Sequence, residues 1–93
     1  MPHWLIVYDV RCPARLRRVH RLLCRHASFL QRSVAHFQGD RSDLQKLLAR
    51  VDPLLQRADD LRALPINDLS EICCIGHAGS EGWLLIQDQT EGA

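Results

Sequence analysis

The hydrophobic positions change their period several times along the chain. Residues 3–9, His-Trp-Leu-Ile-Val-Tyr-Asp, make a short apolar run rich in β-formers, which predicts a buried strand. Pro13 punctuates the loop that follows. From Arg15 to about Ala27 the period becomes helical, with Leu16, Val19, Leu23 and Ala27 on one face at spacings of three and four. Residues 28–38 read as extended up to the turn at Gly39-Asp40, as one long strand or as two joined by a tight bend. Ser42 then opens a second helix, with Gln45 three residues later completing a capping-box pattern. Leu44, Leu47, Leu48, Val51, Leu54 and Leu55 make its core stripe. Pro53 lies inside that stripe, lacks the N–H the helix needs, and predicts a break near Asp52. Leu61 to Ile66 reads as another strand, and Pro65 places its end at a sheet edge. The apolar run Ile72-Cys-Cys-Ile75, a turn at Gly79-Ser-Glu-Gly82 and a last candidate strand from Trp83 to Gln87 complete the pattern.

Strand, helix, strand or hairpin, helix, strand is the order of an α+β ferredoxin-like sandwich (βαββαβ), with both helices on one face of an antiparallel sheet. Residues 1–78 are assigned to that domain. Residues 79–93 are a C-terminal extension whose strand would pair with a partner subunit. A 93-residue chain buries only about two-thirds of its unfolded surface, so a homodimer is the predicted state. There is no leader-like pattern and no apolar stretch near the ~20 residues that span a bilayer. A cytoplasmic protein without membrane contact is therefore expected.

Charge changes the picture. The net charge of +1 conceals a strong asymmetry. Residues 1–32 carry seven arginines against the single acid Asp9, whereas residues 33–93 carry five basic and ten acidic groups. Eleven of the twelve basic residues are arginine, whose planar fork suits bidentate phosphate contacts. On the first helix Arg17, Arg18, Arg21 and Arg25 gather opposite the apolar stripe. Either this is a phosphate-binding surface or it is a solvated helix face, and charge alone leaves both open.

The four cysteines, Cys12, Cys24, Cys73 and Cys74, form no C-x-x-C pair and read as reduced thiols. Zinc ligation lacks the usual spacing. Asp9 is the only acid in the first 39 residues. By residue chemistry it is either a hydrogen-bonded loop carboxylate or an oxygen ligand for a hard cation. His20 and His26 lie near the apolar side of the first helix and read as core or boundary residues, and Trp4 and Trp83 as core or interface anchors.

Three short motifs in register go further. Tyr8-Asp9-Val10, an arginine-rich helix five residues later, and Gln31-x-Ser33-Val34 resemble the CRISPR-associated protein 2 family. The family's pattern runs Tyr-Asp-Ile, a basic helix ending in Leu-Leu, then Gln-x-Ser-Val-Phe. The likeness needs no gap from Tyr8 through Val34, and Asp59-Asp60 is similar to the family as well. Beyond that it rests on element order. The resemblance implies a ferredoxin-like homodimer that bridges the CRISPR integrase during spacer acquisition. It also implies a metal-dependent endonuclease acting on RNA or duplex DNA. In it Asp9 is the catalytic metal ligand, holding Mg²⁺ or Mn²⁺ between the two subunits. Arg15 and Arg32 join the nucleic-acid-binding set through the resemblance, while Arg17, Arg18, Arg21 and Arg25 rest on helical geometry. The chain departs from the pattern at Cys12-Pro13, where many relatives carry two acids. It departs again at Ala35-His36 in place of Phe-Glu and at His26-Ala27 in place of Tyr-Gly. Those lost carboxylates weaken the nuclease reading more than the scaffold reading. A ribonuclease toxin of the virulence-associated protein D type, with the same fold, is the alternative.

Overall fold

The first strand, β1 (His3–Asp9), alternates as a half-covered strand should: Trp4, Ile6 and Tyr8 are buried, and Asp9 is exposed at its end. Helix α1 (Pro13–Cys24), strands β2 (Ser28–Gln31) and β3 (Val34–Gln38), helix α2 (Arg41–Val51) and strand β4 (Asp60–Ile66) follow. The computed structural model describes residues 2–68, 70, 72 and 73. The predicted tail strand at 83–87, the extension 79–93 and most of the apolar run 72–75 lie outside them. The sheet order is β2-β3-β1-β4, antiparallel throughout. This is the predicted ferredoxin-like sandwich. Pro65 lies on β4, an edge strand of the sheet as described.

Both helices cover one face only. Trp4, Ile6 and Tyr8 share a core with Val19 and Leu23 of α1, Ala35 and Phe37 of β3, and Leu44, Leu47 and Val51 of α2. Burying each such side chain contributes about 1.5–3 kcal/mol, so this layer sets the angle at which α1 lies. Residues 28–38 form two strands, joined by a turn at Arg32 and Ser33. The break near Asp52 is present as well, since α2 stops at Val51 and a 3₁₀ turn, Asp52–Leu54, carries Pro53.

Three helix boundaries differ from the sequence expectation, the first being that α1 starts at Pro13, a residue expected in the loop, ahead of Arg15. Helix α2 starts at Arg41 and is capped by Asp40, ahead of the expected Ser42. The Asp40 carboxylate accepts from the Asp43 N–H at 2.8 Å, and the Asp43 carboxylate accepts from the Asp40 N–H at 3.1 Å. A carboxylate at the positive end of a helix outcompetes a hydroxyl two residues later. Helix α1 ends at Cys24 instead of running to Ala27. The Arg25 and His26 N–H groups bond back three residues, to Leu22 and Leu23, which tightens the final turn.

Single polar contacts close the hairpin and the β3–α2 corner. Tyr8 holds the β2–β3 turn from the central strand: its hydroxyl donates to the Arg32 carbonyl at 3.1 Å, and its N–H to the Ser33 carbonyl at 3.1 Å. The Trp4 indole N–H donates to the Gly39 carbonyl at 2.9 Å. A Cβ at Gly39 would stand 3.0 Å from the Phe37 ring and from the Asp43 Cβ, so any side chain there would have to push these neighbours back. Among the described residues no helix is long and apolar enough to cross a membrane.

Burial of the Tyr8 phenol, with the nearby Cys24 adding to it, pushes its pKa up to about 12. Tyr8 is the single tyrosine, so its near-ultraviolet phenolate absorbance reports this position alone. The native protein should ionise it near pH 12 and the denatured chain near ~10. The neutral phenol's stabilisation is therefore complete below about pH 10 and is lost as pH rises through the folded value. Tyr8→Phe should cost about 1 kcal/mol by leaving the Arg32 carbonyl without its donor. Native ionisation at the denatured value would show that the hydroxyl is free.

Candidate nucleic-acid interface

Burying Val19 and Leu23 turns the other face of α1 outward, and Arg17, Arg18, Arg21 and Arg25 are all exposed there. Among the described residues none of the four has an ion-pair partner. They flank two grooves. One, of about 580 Å³, lies between α1 and the β2–β3 turn and is lined by Leu16, Arg17, His20, Arg21, Cys24 and Arg32. The other, of about 290 Å³, runs toward the end of α2 and is lined by Arg18, Arg21, Leu22, Arg25, Arg50 and Leu54. Arg32 of the hairpin turn thus joins the helical arginines.

Arg15 stands apart from this group. Its guanidinium donates twice to Asp59, from Nε at 2.8 Å and from Nη2 at 3.0 Å. The same carboxylate accepts from the N–H groups of Arg11 and Gln56 at 3.1 and 2.9 Å, and its side chain is wholly buried. The Arg15 fork, helped by the two backbone N–H groups, holds the Asp59 carboxyl well below the usual carboxylate range despite the opposing effect of burial. Asp59 in turn raises the Arg15 pKa. In this structure Arg15 is a clamp, with its fork turned away from solvent phosphate.

Asp9 ends β1 with its side chain 68% exposed, 3.6 Å from the Arg11 guanidinium. The β1–β4 register sets Asp60 directly opposite, where it pairs with Arg62 at 3.0 Å. The chain therefore offers two oxygen-donor carboxylates on the adjoining ends of β1 and β4. That donor chemistry suits a hard cation that keeps several waters. Among the described residues no group of three or more His, Cys, Asp or Glu side chains converges to hold a metal. Asp9 and Asp60 share the sheet face opposite the helices, uncovered among the described residues, with Leu5, Val7, Val34 and Leu64. On that face His3 Nδ1 lies 2.9 Å from His36 Nε2, with the rings stacked 5.1 Å apart. Burial, and then the neighbouring His3, lower the His36 pKa.

Three participants were missed from the sequence. His20, assigned to the core or its boundary, is exposed, with its ring 4.2 Å from that of Phe29. His26 is exposed too, and its Nε2 lies 3.1 Å from Arg50 Nη1. Arg50 reaches α1 only because of how the helices pack, which no spacing rule reveals. The position of Asp60 was legible in principle, since pairing β4 with β1 places it across from Asp9. Cys12, Cys24 and Cys73 are free thiols.

Residues 1–71 match the family model described as CRISPR associated protein Cas2. A curated relative from Nitrosomonas europaea, named CRISPR-associated endoribonuclease Cas2 1, is 37% identical over 67 residues. That alignment covers 71% of this chain and 64% of the relative's length, so the chain spans less than two-thirds of it. Among solved structures, Streptococcus pyogenes Cas2 at pH 6.5 aligns with a TM-score of 0.71 at 22% identity, covering 80% of this chain and 99% of that one. A hypothetical protein from Thermus thermophilus aligns at 0.68 with 26% identity, covering 72% and 83%.

The Asp59→Asn variant keeps the shape of the clamp and removes its charge. Arg15, whose side chain is only 18% exposed, then loses its counter-ion, and the melting temperature should fall by several degrees. In the wild type the folded carboxyl titrates below its unfolded value, so the clamp's stabilisation is present above about pH 4 and is lost on acidification. Thermal melts followed by circular dichroism across the acid range should show a shallower pH dependence in the variant. Equal melting temperatures and equal slopes would mean that the clamp contributes nothing.

Proposed function

The chain belongs to the CRISPR associated protein Cas2 family, and on that premise we propose that it binds nucleic acid, without regard to sequence, along the arginine face of α1. One observation carries the reading: Arg17, Arg18, Arg21 and Arg25 are exposed and free of ion pairs among the described residues, on a helix anchored by its other face. Guanidiniums arranged in this way meet phosphates and read no bases. Duplex DNA presents one charge per ~1.7 Å of axis, so a stripe doubled by two-fold symmetry can follow its backbone.

The working form in this reading is a homodimer that serves as adaptor for the CRISPR integrase in spacer acquisition. Support comes from the sheet face opposite the helices, where Leu5, Val7 and Val34 stay partly accessible and Leu64 is 49% exposed. A second copy laid on that face would remove this apolar surface from water and bring two Asp9–Asp60 strand ends together.

Endonuclease activity on RNA or duplex DNA is the second part of the proposal. Asp9, with Asp60 opposite, would hold Mg²⁺ or Mn²⁺. A bound ion of this kind supplies charge neutralisation at the scissile phosphate and an activated water. The residues' own part is to present fixed carboxylate oxygens, while the α1 arginines retain the strand. Arg11 and Arg62 compete with the ion for those oxygens.

Counterion release gives a log–log salt slope of about −0.9 per phosphate neutralised. Replacing Arg17, Arg18 and Arg21 together by alanine should flatten that slope and weaken binding to all duplexes alike, as read by fluorescence anisotropy over a salt series. An unchanged slope would make the stripe a solvated face.

Asp9→Asn separates scaffold from enzyme. Mg²⁺-dependent cleavage should fall by at least the ~10²-fold typical of losing one positioned electrostatic group, with duplex affinity kept. Both are measured on one preparation of each variant. Cleavage that persists would remove Asp9 from the chemistry, and affinity lost together with cleavage would make Asp9 structural.

A further inference from the structure

The two grooves along α1 differ in a way that phosphate binding does not explain. The smaller one, between Arg18, Arg25 and Arg50, has no aromatic ring in its walls and suits a phosphate alone. The larger one has mostly carbon walls, built on Leu16, yet Arg17, Arg21 and Arg32 stand around it. His20 forms one wall, and its ring is packed against another ring although the residue is exposed. It rests on Phe29 at 4.2 Å between centroids, and Phe29 meets Tyr8 edge-on at 6.4 Å and 88°. Tyr8 is buried and hydrogen-bonded to the carbonyl of Arg32, itself a lining residue. A column of three rings thus runs from the core to the groove and fixes a flat wall beside three guanidiniums.

A flat apolar wall with cations around it matches a ligand that is itself flat and apolar with anions attached. A nucleotide has that form. The groove's volume of about 580 Å³ also lies within the ~300–1,000 Å³ usual for small-ligand sites. Inside a duplex the bases are stacked on one another and cannot reach such a wall. In a single strand they can be splayed onto an aromatic or histidine ring.

We propose that this groove is a site for one unstacked nucleobase of a single-stranded nucleic acid, its ring laid against His20 and its flanking phosphates held by Arg17, Arg21 and Arg32. The proposal rests on the nucleic-acid reading above and deepens it by placing one base contact beside the phosphate contacts. His20 is then a contact residue for the base and takes no part in phosphate binding.

The test measures three probes by fluorescence anisotropy at one low salt concentration: a short oligothymidylate, the same strand with abasic sites, and a duplex. His20→Ala should weaken oligothymidylate binding about tenfold, the size of one base–aromatic stack, and leave duplex affinity unchanged. His20→Phe should restore it, because a ring is what the site uses. The abasic strand should bind the wild type about as weakly as the intact strand binds His20→Ala. Repeating the series with oligouridylate distinguishes DNA from RNA as the source of the base. If the abasic and intact strands bind equally, or if His20→Ala weakens strand and duplex alike, the base site is overturned while nucleic-acid binding stands. If the wild type binds none of the probes, both readings fall together. His20 is exposed, so the variants should fold, and circular dichroism checks this directly.

Discussion

The Asp59 carboxylate is the point on which the functional geometry turns. Four N–H groups converge on its two oxygens: two from the Arg15 guanidinium, one from the Arg11 backbone and one from the Gln56 backbone. Arg11 belongs to the loop leaving β1, Arg15 to the first turn of α1, and Gln56 to the segment entering β4. One buried anion therefore fixes three pieces of chain that the hydrophobic core alone does not position. Helix α1 has no acid in its first turn and no side-chain cap, so little else holds that end. The clamp ties down the first turn of α1, whose arginine face the burial of Val19 and Leu23 turns outward, and it holds the approach to β4, where Asp60 lies opposite Asp9.

At the far side of α1 an aromatic column does the corresponding work. Tyr8 is pinned in the core, meets Phe29 edge-on, and Phe29 carries His20. The Tyr8 hydroxyl also fixes the turn from which Arg32 projects. Tyr-Asp at the end of β1 thus serves two faces at once. The tyrosine orders the helix-side groove, and the aspartate one residue later points to the open face because the side-chain period in a strand is two.

The fold was legible because its elements announce themselves locally. A short apolar run rich in β-formers marked β1, Pro53 marked the end of α2, and Pro65 placed the end of β4 at a sheet edge. Helix ends were less legible, since the Asp40–Asp43 box and the tight turn at Arg25 are decided by competition between neighbouring donors and acceptors. Of the site, the arginine face followed from helical geometry alone. The separation of Arg15 from the other arginines did not, because its partner lies 44 residues away. Arg50 and His20 were hidden for the same reason: their surroundings come from the packing of distant segments, and a period along the chain carries no information about that.

Charge placement favours holding a polyanion over cutting it. The helical guanidiniums need no rearrangement to meet phosphate, because nothing among the described residues occupies them. The acidic strand end is different: Asp9 and Asp60 each sit beside an arginine, which leaves that end close to neutral. Exposed pairs of this kind contribute little to stability and separate easily. Even so, their positive charges lower the local attraction for a cation until a phosphate backbone draws Arg11 and Arg62 away. In the proposed reading, bound nucleic acid would then free the oxygens meant for a metal, so strand binding would precede metal binding. Under the proposed function, this arrangement of charges makes the scaffold the default state and hydrolysis a consequence of occupancy.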